Sequence, residues 1–523
     1  MKANTIIRRF GRFAACVAML AAAACTGNFE DYNTKPFRPS DDDLNGDNVG
    51  VGILFPAMME FVTHFQVNAS QMHDVLVADE LGGYASAVKS YQGQNIATYN
   101  PSDKFNDYIF EQTFANFYGN YFKVETQTGG EGPVYQLARI LRVAAMLRVT
   151  YGPIPYSKMQ NGTFSVPYDS QRDVYMAMID DLDAAMETLY TFASAGDGIL
   201  MRDFDISSFK GDSRLWVSFA NTLKLRMAIR MSGVEPEARR IAEEAVRDMA
   251  TYGLIDANAE NLSFSSDSRQ NPFYTQATST SWQDLRSNAS IVMYMNAYED
   301  PRRASYFSKS GYDGIYVGVR AGIQNVTPTD YATYSYPLFA EKDPVPVMYA
   351  SESWFLRAEG ALLGWTMGDT AENLYNTGVK TSLELWGNGS SYETYIASET
   401  APALSYADPR NKHNVSDFGT AVSVKWADDG NELERIITQK WIANHMIGHE
   451  AWADVRRTGY PRLLQVVNNL SGGMWGNVDS SKGMRRLHYP QSEYDNNREN
   501  VLRGVELLGG SDLHGTDVWW AKK

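Results

Sequence analysis

The chain has almost no cysteine. Its 523 residues contain 2 cysteines, Cys16 and Cys25, and Cys16 lies within an apolar N-terminal stretch. If that stretch is cleaved, one cysteine remains, and no disulfide can form within one mature chain. The fold must therefore depend on buried apolar surface. A chain of this length with 44% hydrophobic residues can bury a large core, in one large domain or two merged ones.

The common signatures of enzymes are also missing. The sequence has no Gly-x-Ser-x-Gly elbow, no phosphate-binding glycine loop followed by Lys-Ser or Lys-Thr, and no cysteine placed for nucleophilic catalysis. The neighbouring carboxylates Asp180, Asp181 and Asp183 point to different faces of a predicted helix, which favours a solvated surface over an acid/base pair. We predict that the protein is not an enzyme; a surface glycosidase or peptidase is the weakest alternative.

No segment after residue 24 is long and apolar enough to span a bilayer. The formal net charge is −15, and the N-terminal 24 residues carry basic residues without acidic ones, so the mature chain is more acidic still. Such a charge disfavours nucleic acids and anionic lipid surfaces as partners. We therefore predict no nucleic-acid binding.

The N-terminus has the composition of a secretory signal peptide. A basic start (Lys2, Arg8, Arg9, Arg12) precedes the apolar residues 13–24, which are too few to span a membrane. The small residues before Cys25 are similar to a lipobox, with Ala22 where leucine is usual. We predict residues 1–24 as the signal peptide, Cys25 as the lipidation site and residues 25–48 as a lipid-anchored acidic tether. The alternative is an ordinary signal that leaves Cys25 as a free thiol.

The tether contains part of a calcium-binding pattern. The residues that copy the first half of an EF-hand loop are Asp41, Asp43, Asn45 and Asp47. The bidentate glutamate of the second half is replaced by Gly52. The two interpretations are a structural calcium site and a solvated acidic tether, and the tether is favoured.

Helical periodicity dominates the remaining chain. We predict helices over residues 53–65, 71–81, 105–121, 134–149, 174–189, 213–231, 235–252, 351–365, 371–386 and 432–447. Residues 262–346 are rich in Gly, Ser, Thr, Asn and Pro, with helical spacing only near 291–298. The expected fold is mainly α, a tetratricopeptide-like scaffold of helix pairs with a large loop-rich insertion and few short strands.

Several stretches resemble the SusD/RagB-type outer-membrane lipoproteins, and their order spans nearly the whole mature chain. They are residues 151–157, 166–169, 181–183, 289–291, 298–302, 353–359, 439–442, 450–452, 456–461, 485–487 and 489–494. The chain departs from the family near its end, where Asp517-Val518-Trp519-Trp520-Ala521 replaces an Arg-Leu-Trp-Trp-Asp-like stretch.

The resemblance implies a SusD-like α-α superhelix in a single domain over residues 49–523. Its helical scaffold would cover 49–260 and 350–470, with ligand or partner regions at 261–349 and 471–523. It implies a lipoprotein of the outer membrane, facing the cell exterior and held by its lipid anchor only. Such proteins capture an oligosaccharide, or in some cases a peptide, and act as a lid on a SusC-like TonB-dependent barrel. No catalysis is implied, and we predict no cofactor apart from the calcium alternative.

A sugar-binding surface needs aromatic faces for the ring and fixed polar groups for the hydroxyls. Two loop segments of this chain offer both, and two further positions are weaker candidates. The predicted ligand-binding residues are Tyr84, Tyr91, Asn95, Tyr99, Tyr274, Trp282, Asp284, Arg286, Arg320 and Trp426. For each, the alternative is an ordinary loop-packing residue. Arg456, Arg457 and Tyr460 are interpreted as scaffold.

Overall fold

The computed structural model describes residues 49–163 and 165–522. The predictions about the signal peptide, Cys25, the tether and the calcium candidates Asp41, Asp43, Asn45 and Asp47 lie outside the described residues. The chain divides into two units, Met1–Gly52 and Ile53–Lys523. The described part of the first is the short helix Val49–Gly52. The following paragraphs concern the second unit.

The N-terminal half of this unit is built from helices that pack against their neighbours in sequence. Gly132–Leu147 packs on Gln171–Ala195, which packs in turn on Ser213–Arg230. This confirms the expected mainly helical fold. The α-helices here are Phe55–Met59, Val67–Ser70, Asp103–Gln112, Tyr118–Thr128, Gly132–Leu147, Gln171–Ala195, Ser213–Arg230, Ala238–Arg247 and Met249–Tyr252.

The C-terminal half repeats this pairing after an irregular insertion. Ala350–Leu362 and Ala371–Leu385 form an extensive pair, and Glu432–Ala443 packs on both. The α-helices here are Pro272–Thr278, Ala289–Ala297, Arg303–Tyr306, Ala350–Leu362, Ala371–Leu385, Tyr392–Ile396, Glu432–Ala443, Gly448–Thr458, Gln491–Asn496 and Arg498–Leu508.

The helix Ser213–Arg230 lies in the centre of the scaffold and is buried on nearly all sides. Its charged residues are therefore paired rather than solvated. Arg226 donates two hydrogen bonds to Glu352 (2.7 and 2.8 Å), and Arg230 pairs with Glu450. Removing one partner of such a buried pair is strongly destabilising. These pairs connect the central helix to Ala350–Leu362 and Gly448–Thr458.

The predicted helix over residues 53–65 is shorter in the structure and ends at Met59. The side chain of Arg148 donates to the carbonyls of Phe61 and Val62, which a continuing helix would use for itself. The next predicted helix, residues 71–81, is mostly a π-helix, Gln71–Asp79, and all of its residues are buried. π-Helical segments are rare and are frequent at functional sites.

Helices also occur where none was predicted. Gly448–Thr458 follows a predicted helix end, and Gln491–Asn496 and Arg498–Leu508 lie in a segment expected to be loop-rich. Arg498–Leu508 buries Val501 and Leu508 on one side and exposes Leu502 and Leu507 on the other. Val501, Val505 and Leu508 have helical spacing, so the sequence carried a signal for this helix that the loop-rich prediction missed.

The strands are few and short, as expected. They are β1 (Ala85–Ala87), β2 (Leu262–Phe264), β3 (Leu285–Ser287) and β4 (Val345–Met348). β1 pairs antiparallel with β3 in the register Ala85–Ser287, Ser86–Arg286 and Ala87–Leu285, and β2 pairs with β4. β1 precedes β3 by almost 200 residues of chain, so this pairing holds part of the insertion against the end of the π-helix.

Among the helices of residues 49–163 and 165–522, none has the length and apolarity needed to cross a membrane.

Candidate functional site: the Tyr91–Asp284 surface

Strand pairing brings the two predicted binding segments together. Past the end of β1, the backbone N–H of Val88 donates to the carbonyl of Asp284 at 2.8 Å. The side chains then converge: Gln71 donates to Asp284 Oδ2 at 2.8 Å, and the Tyr91 hydroxyl lies 3.4 Å from the same oxygen. We call the surface formed by Gln71, Lys89, Tyr91, Phe105 and Asp284 the Tyr91–Asp284 surface.

Asp284 is the buried acceptor of this surface. It is 1% exposed, and its Oδ1 has no hydrogen-bond partner among the described residues. Burial raises the pKa of the Asp284 carboxyl, while the Gln71 hydrogen bond and the Lys89 charge oppose that shift. An unpartnered buried oxygen is costly to the fold. Because this side chain lies beneath the surface, Asp284 acts by holding Tyr91 in position.

Tyr91 provides an aromatic face beside that acceptor. Its ring is half-buried and meets Phe105 edge-on, with ring centroids 5.2 Å apart. The Lys89 ammonium lies 5.8 Å from the Tyr91 ring centroid, at the outer limit of a cation–π contact. Burial, followed by the charge of Asp284, raises the pKa of the Tyr91 hydroxyl well above its usual value. The hydroxyl therefore stays neutral and donates to Asp284.

The backbone of this surface adopts a conformation that L-residues disfavour. Tyr91, Gln92 and Gln283 have φ values of 45°, 61° and 50°. A non-glycine residue in the left-handed region costs about 1–2 kcal/mol. Such strain persists only where surrounding contacts enforce it, and it concentrates at binding sites. Two of these residues flank the Tyr91–Asp284 contact, and the third is Tyr91 itself.

The outer edge of the surface is polar and accessible. Lys89, Gln92 and Gln94 are exposed, and Trp282 is half-buried two residues before Asp284. Exposed amides and an ammonium can exchange hydrogen bonds with hydroxyls, while Tyr91 offers an apolar face. The chemistry suits a neutral, hydroxyl-rich ligand.

Tyr84 and Asn95 have structural contacts. Tyr84 is fully buried, stacks on Trp441 at 5.8 Å between ring centroids and donates its hydroxyl to the Trp441 carbonyl. The Asn95 side chain is buried and accepts from the backbone N–H of Thr98, which closes a turn. Neither side chain is open to a ligand in this conformation, so neither belongs to the Tyr91–Asp284 surface.

Tyr99 lies at the boundary of two cavities. It borders an open depression of about 300 Å³ with Gln94, Trp475 and His514, and it also lines a larger cavity of about 560 Å³. Its ring is 5% exposed, and burial raises the pKa of its hydroxyl. Tyr99 therefore borders both cavities from a buried position.

Arg286 supports the surface from below. It is 2% exposed and donates to the carbonyls of Ala277, Leu285 and Tyr331. Burial lowers the pKa of this guanidinium to about 10. Its contacts hold the loop that carries Trp282 and Asp284, which is a positioning role.

The other three predicted residues contact different segments. Tyr274 is half-buried on the helix Pro272–Thr278. Arg320 donates to the carbonyls of His413 and Gln465. The Trp426 ring lies 5.4 Å from that of Tyr375, and its indole N–H donates to Asp428. The contacts of these three residues do not include Tyr91 or Asp284.

Gln71, Lys89 and Phe105 were not among the predicted ligand-binding residues. Gln71 begins the π-helix and Phe105 lies on the helix Asp103–Gln112, so both appeared as ordinary helical positions. Lys89 lies between β1 and Tyr91 without any motif. Only the antiparallel pairing of β1 and β3 shows that these residues share a surface.

Within residues 49–163 and 165–522, no group of three or more His, Cys, Asp and Glu side chains is arranged to hold a metal ion.

Comparison with known proteins places the chain among the lipoproteins it resembles. The family model "Susd and RagB outer membrane lipoprotein" matches residues 31–521. A SusD homologue from Bacteroides uniformis is 39% identical, with 91% of this chain and 100% of that chain covered and a TM-score of 0.84. A SusD-like protein from Bacteroides thetaiotaomicron is 38% identical over 90% and 99%, with a TM-score of 0.83.

A chitin-binding SusD homologue from Flavobacterium johnsoniae is 36% identical, with 91% of this chain and 99% of that chain covered and a TM-score of 0.85. Among curated protein sequences, none matches this chain. The family comprises outer-membrane lipoproteins. Its members are nutrient-binding proteins and not enzymes. From the family match, the fold and the order of its sequence motifs, this chain is a member of the SusD/RagB family of outer-membrane lipoproteins.

Proposed function

We propose that this protein captures oligosaccharides at the outer face of the outer membrane, with the Tyr91–Asp284 surface as its binding site. The observation that carries the proposal is the convergence of Tyr91 and Asp284, with an oxygen of Asp284 left without a partner. The ring faces of Tyr91 and Trp282 would cover the apolar side of a sugar. The exposed Lys89, Gln92 and Gln94 would bind its hydroxyls, and Asp284 would hold Tyr91 from beneath.

The strained backbone supports this use. A site that is already ordered loses little conformational entropy when ligand binds, so a modest surface is sufficient for useful affinity. The conformation at Gln92 and Gln283 is maintained by contacts of Tyr91 and Asp284 with the scaffold. We expect the free and bound forms of this surface to be similar.

The solved relatives indicate which class of ligand should be tested first. One solved relative is a chitin-binding SusD homologue, 36% identical to this chain. We infer that chito-oligosaccharides are the first candidates, followed by other neutral glycans. Delivery of the captured glycan to a SusC-like TonB-dependent barrel, with this protein as its lid, completes the proposal.

Isothermal titration calorimetry on a soluble form, residues 26–523, tests the binding. The panel is chito-oligosaccharides, plant and microbial oligosaccharides, and a mixed peptide pool. Binding of a glycan that is lost in Trp282→Ala and kept in Trp426→Ala supports the proposal. The two variants remove the same ring, one beside Asp284 and one beside Tyr375.

Three outcomes would contradict the proposal. Saturable binding of peptides without any glycan moves the protein to a peptide-capturing lid of the same fold. Glycan binding that is equal in wild type, Trp282→Ala and Tyr91→Ala places the site elsewhere. Release of new reducing ends by the purified protein would reveal a hydrolase instead.

A further inference from the structure

A second, deeper cavity lies between the end of the π-helix and two C-terminal loops. It has a volume of about 560 Å³ and is walled by residues 459–466 and 480–485. Its size is within the range of roughly 300–1,000 Å³ found for small-molecule sites. Gly83 and Gly322 allow the first loop to approach, since a Cβ on either would lie 2.7 Å from Leu463 or 2.6 Å from Val466.

The lining of this cavity carries more positive than negative charge. Its cations are Arg456, Arg462, Lys482 and Arg485, and its carboxylates are Glu80 and Asp517. Asp517 is already paired with Arg485. This excess of cations is unusual in a chain whose net charge is −15. Arg462 and Lys482 are exposed, so the buried cation of this lining that no carboxylate offsets is Arg456.

Arg456 is the centre of that excess. It is 6% exposed and lies 3.6 Å over Trp452 and 4.7 Å from the Trp520 ring centroid. It donates to two backbone carbonyls, those of Trp452 and Arg485, and forms no ion pair with any carboxylate of the described residues. Burial, followed by the charge of Arg485, lowers the pKa of the Arg456 guanidinium well below its usual value. The guanidinium lacks an anion.

Glu80 faces the same cavity without competing for the guanidinium. It is 5% exposed, and its Oε1 has no hydrogen-bond partner among the described residues. Burial raises the pKa of the Glu80 carboxyl well above its usual value. A neutral carboxylic acid offers one donor and further acceptor capacity, which suits a hydroxyl. The cavity thus has a cation and a hydroxyl partner.

The mouth of the cavity adds accessible cations and an apolar side. Arg462 and Lys482 are exposed, whereas Phe418 is half-buried with the Arg462 guanidinium 5.7 Å from its ring centroid. A ligand would therefore meet positive charge at the entrance and an apolar face beside it. Guanidinium groups bind carboxylates with directional, charge-assisted hydrogen bonds.

We propose that this cavity is a second ligand site and binds an acidic sugar, a hydroxylated ring that carries one carboxylate. Its carboxylate would pair with Arg456 and the cations of the mouth, and its hydroxyls would contact Glu80. The ligand is either a free sugar acid or the acidic end of a longer glycan. This site does not use Tyr91, Trp282 or Asp284, so it stands independently of the Tyr91–Asp284 surface.

Calorimetry on residues 26–523 tests the site with glucuronate, an oligouronide, glucose and sodium sulfate. We expect saturable binding of an acid, no binding of glucose, and affinity that falls as salt rises. The double variant Arg462→Ala/Lys482→Ala should weaken binding by at least about tenfold, the loss of a charged hydrogen bond. The control Lys380→Ala removes an exposed cation from the helix Ala371–Leu385 and should leave binding unchanged.

A third variant addresses the buried cation. Arg456→Lys keeps a charge but lacks the planar fork, so it should weaken acid binding while the protein stays folded, as judged by its thermal transition.

Preference for the oligouronide over glucuronate identifies a chain end as the ligand, and equal affinity identifies the free acid. The proposal is overturned if neither acid binds, if glucose binds equally well, if sulfate binds as tightly as the acids, or if the double variant is unaffected. Trp282→Ala should leave acid binding intact, which separates this result from the fate of the Tyr91–Asp284 surface.

Discussion

At the scale of single residues, the left-handed backbone beside Tyr91 is the feature that connects local geometry with binding. Gln92 is exposed with φ of 61°, whereas Gln94, two residues later, has φ of −122°. The same residue type is thus strained at one position and relaxed at the other. That pair provides a matched experiment on strain.

Gln92→Gly should stabilise the protein by about 0.5–1 kcal/mol, because relief of the left-handed strain exceeds the entropy that glycine adds to the unfolded chain. Glycan affinity should fall, because the freed loop must be ordered on binding. Urea unfolding and calorimetry measure the two effects. The control Gln94→Gly should only destabilise, and a loss of stability in Gln92→Gly of the same size would contradict the strain.

Asp284 gives a prediction about pH. Burial raises its pKa in the folded protein above the ordinary value of 3.8, so its protonated form is favoured on folding. The cost of ionising it appears as pH rises through 3.8 and is complete above the folded pKa. Asp284→Asn should therefore gain stability relative to wild type as pH increases from about 3 to neutral.

Urea unfolding of both proteins across this pH range measures that difference. Asp369 provides a control of opposite sign, because hydrogen bonds from Asn373 and Thr370 lower the pKa of its carboxyl. Asp369→Asn should lose stability relative to wild type as pH rises. The same trend for both variants would show that burial does not dominate at Asp284.

At the scale of elements, two glycines in the left-handed region differ in the room they leave for a side chain. Gly83 has φ of 80° and faces Leu463, whereas Gly93 has φ of 81° and nothing within 4 Å of a built Cβ. Replacing either glycine by alanine carries the same free-energy cost for the left-handed backbone. The two substitutions differ only in the steric clash of the added methyl group. Gly83 thus determines how closely residues 459–466 approach the π-helix.

Gly83→Ala should destabilise the protein by about 1–3 kcal/mol more than Gly93→Ala, because overpacking adds to the same backbone strain. Thermal unfolding of both variants gives the difference. Adding Leu463→Ala to Gly83→Ala should recover part of the loss, because it removes the methyl groups in the clash. If both glycine variants lost the same stability, residues 459–466 would be able to move away from the added methyl group at no cost in free energy.

The central helix Ser213–Arg230 gives a second prediction at this scale. Glu352→Gln removes the carboxylate that accepts two hydrogen bonds from Arg226 and leaves only Glu450, 3.5 Å away and already paired with Arg230, to balance it. This change should cost up to about 3–5 kcal/mol of stability. The exposed pair Arg503–Glu506 serves as the control, and Glu506→Gln should have almost no effect. Urea unfolding measures both. The paired replacement Arg226→Met/Glu352→Leu should be less harmful than Glu352→Gln alone, unless the charges themselves hold the helices in place.

At the scale of the whole molecule, membrane attachment and fold stability should be separable. Cys25→Ser should release the protein from the membrane fraction while its thermal transition and glycan binding stay the same, because only the lipid is lost. Cys16→Ser, a change within the predicted signal peptide, should leave attachment intact. A reductant should not alter the transition of the soluble form. Membrane attachment of Cys25→Ser would contradict lipidation at that residue.

Much of the fold was predictable because its strongest signals are local. The helices around Leu182, Leu223 and Phe355 follow from apolar spacing, and Ser170 caps its helix as its type and position indicate. The helix Arg498–Leu508 was missed although Val501, Val505 and Leu508 have helical spacing. The helix at residues 71–81 was predicted, but its π-type hydrogen bonding was not, because apolar spacing does not report which carbonyl each N–H contacts.

The candidate surface was predicted in part. Tyr91, Trp282 and Asp284 were chosen for their residue types, and the structure places Tyr91 and Asp284 in contact. Tyr84 has the same chemistry but lies in the core, and Arg286 acts beneath the surface. Residue type does not distinguish a surface position from a core position, because the exposure of a side chain depends on neighbours that are distant in sequence.

The sequence by itself determined the helical scaffold, the family and the predicted export with a lipid anchor, because each depends on short-range patterns of apolar spacing, motif order and N-terminal composition. Only the tertiary structure decided which aromatic residues meet which polar ones. The pairing of β1 with β3 and the approach of residues 459–466 to Gly83 join segments separated by some 200 to 380 residues. Such contacts arise from packing of the whole chain, so both candidate ligand sites appear only after folding.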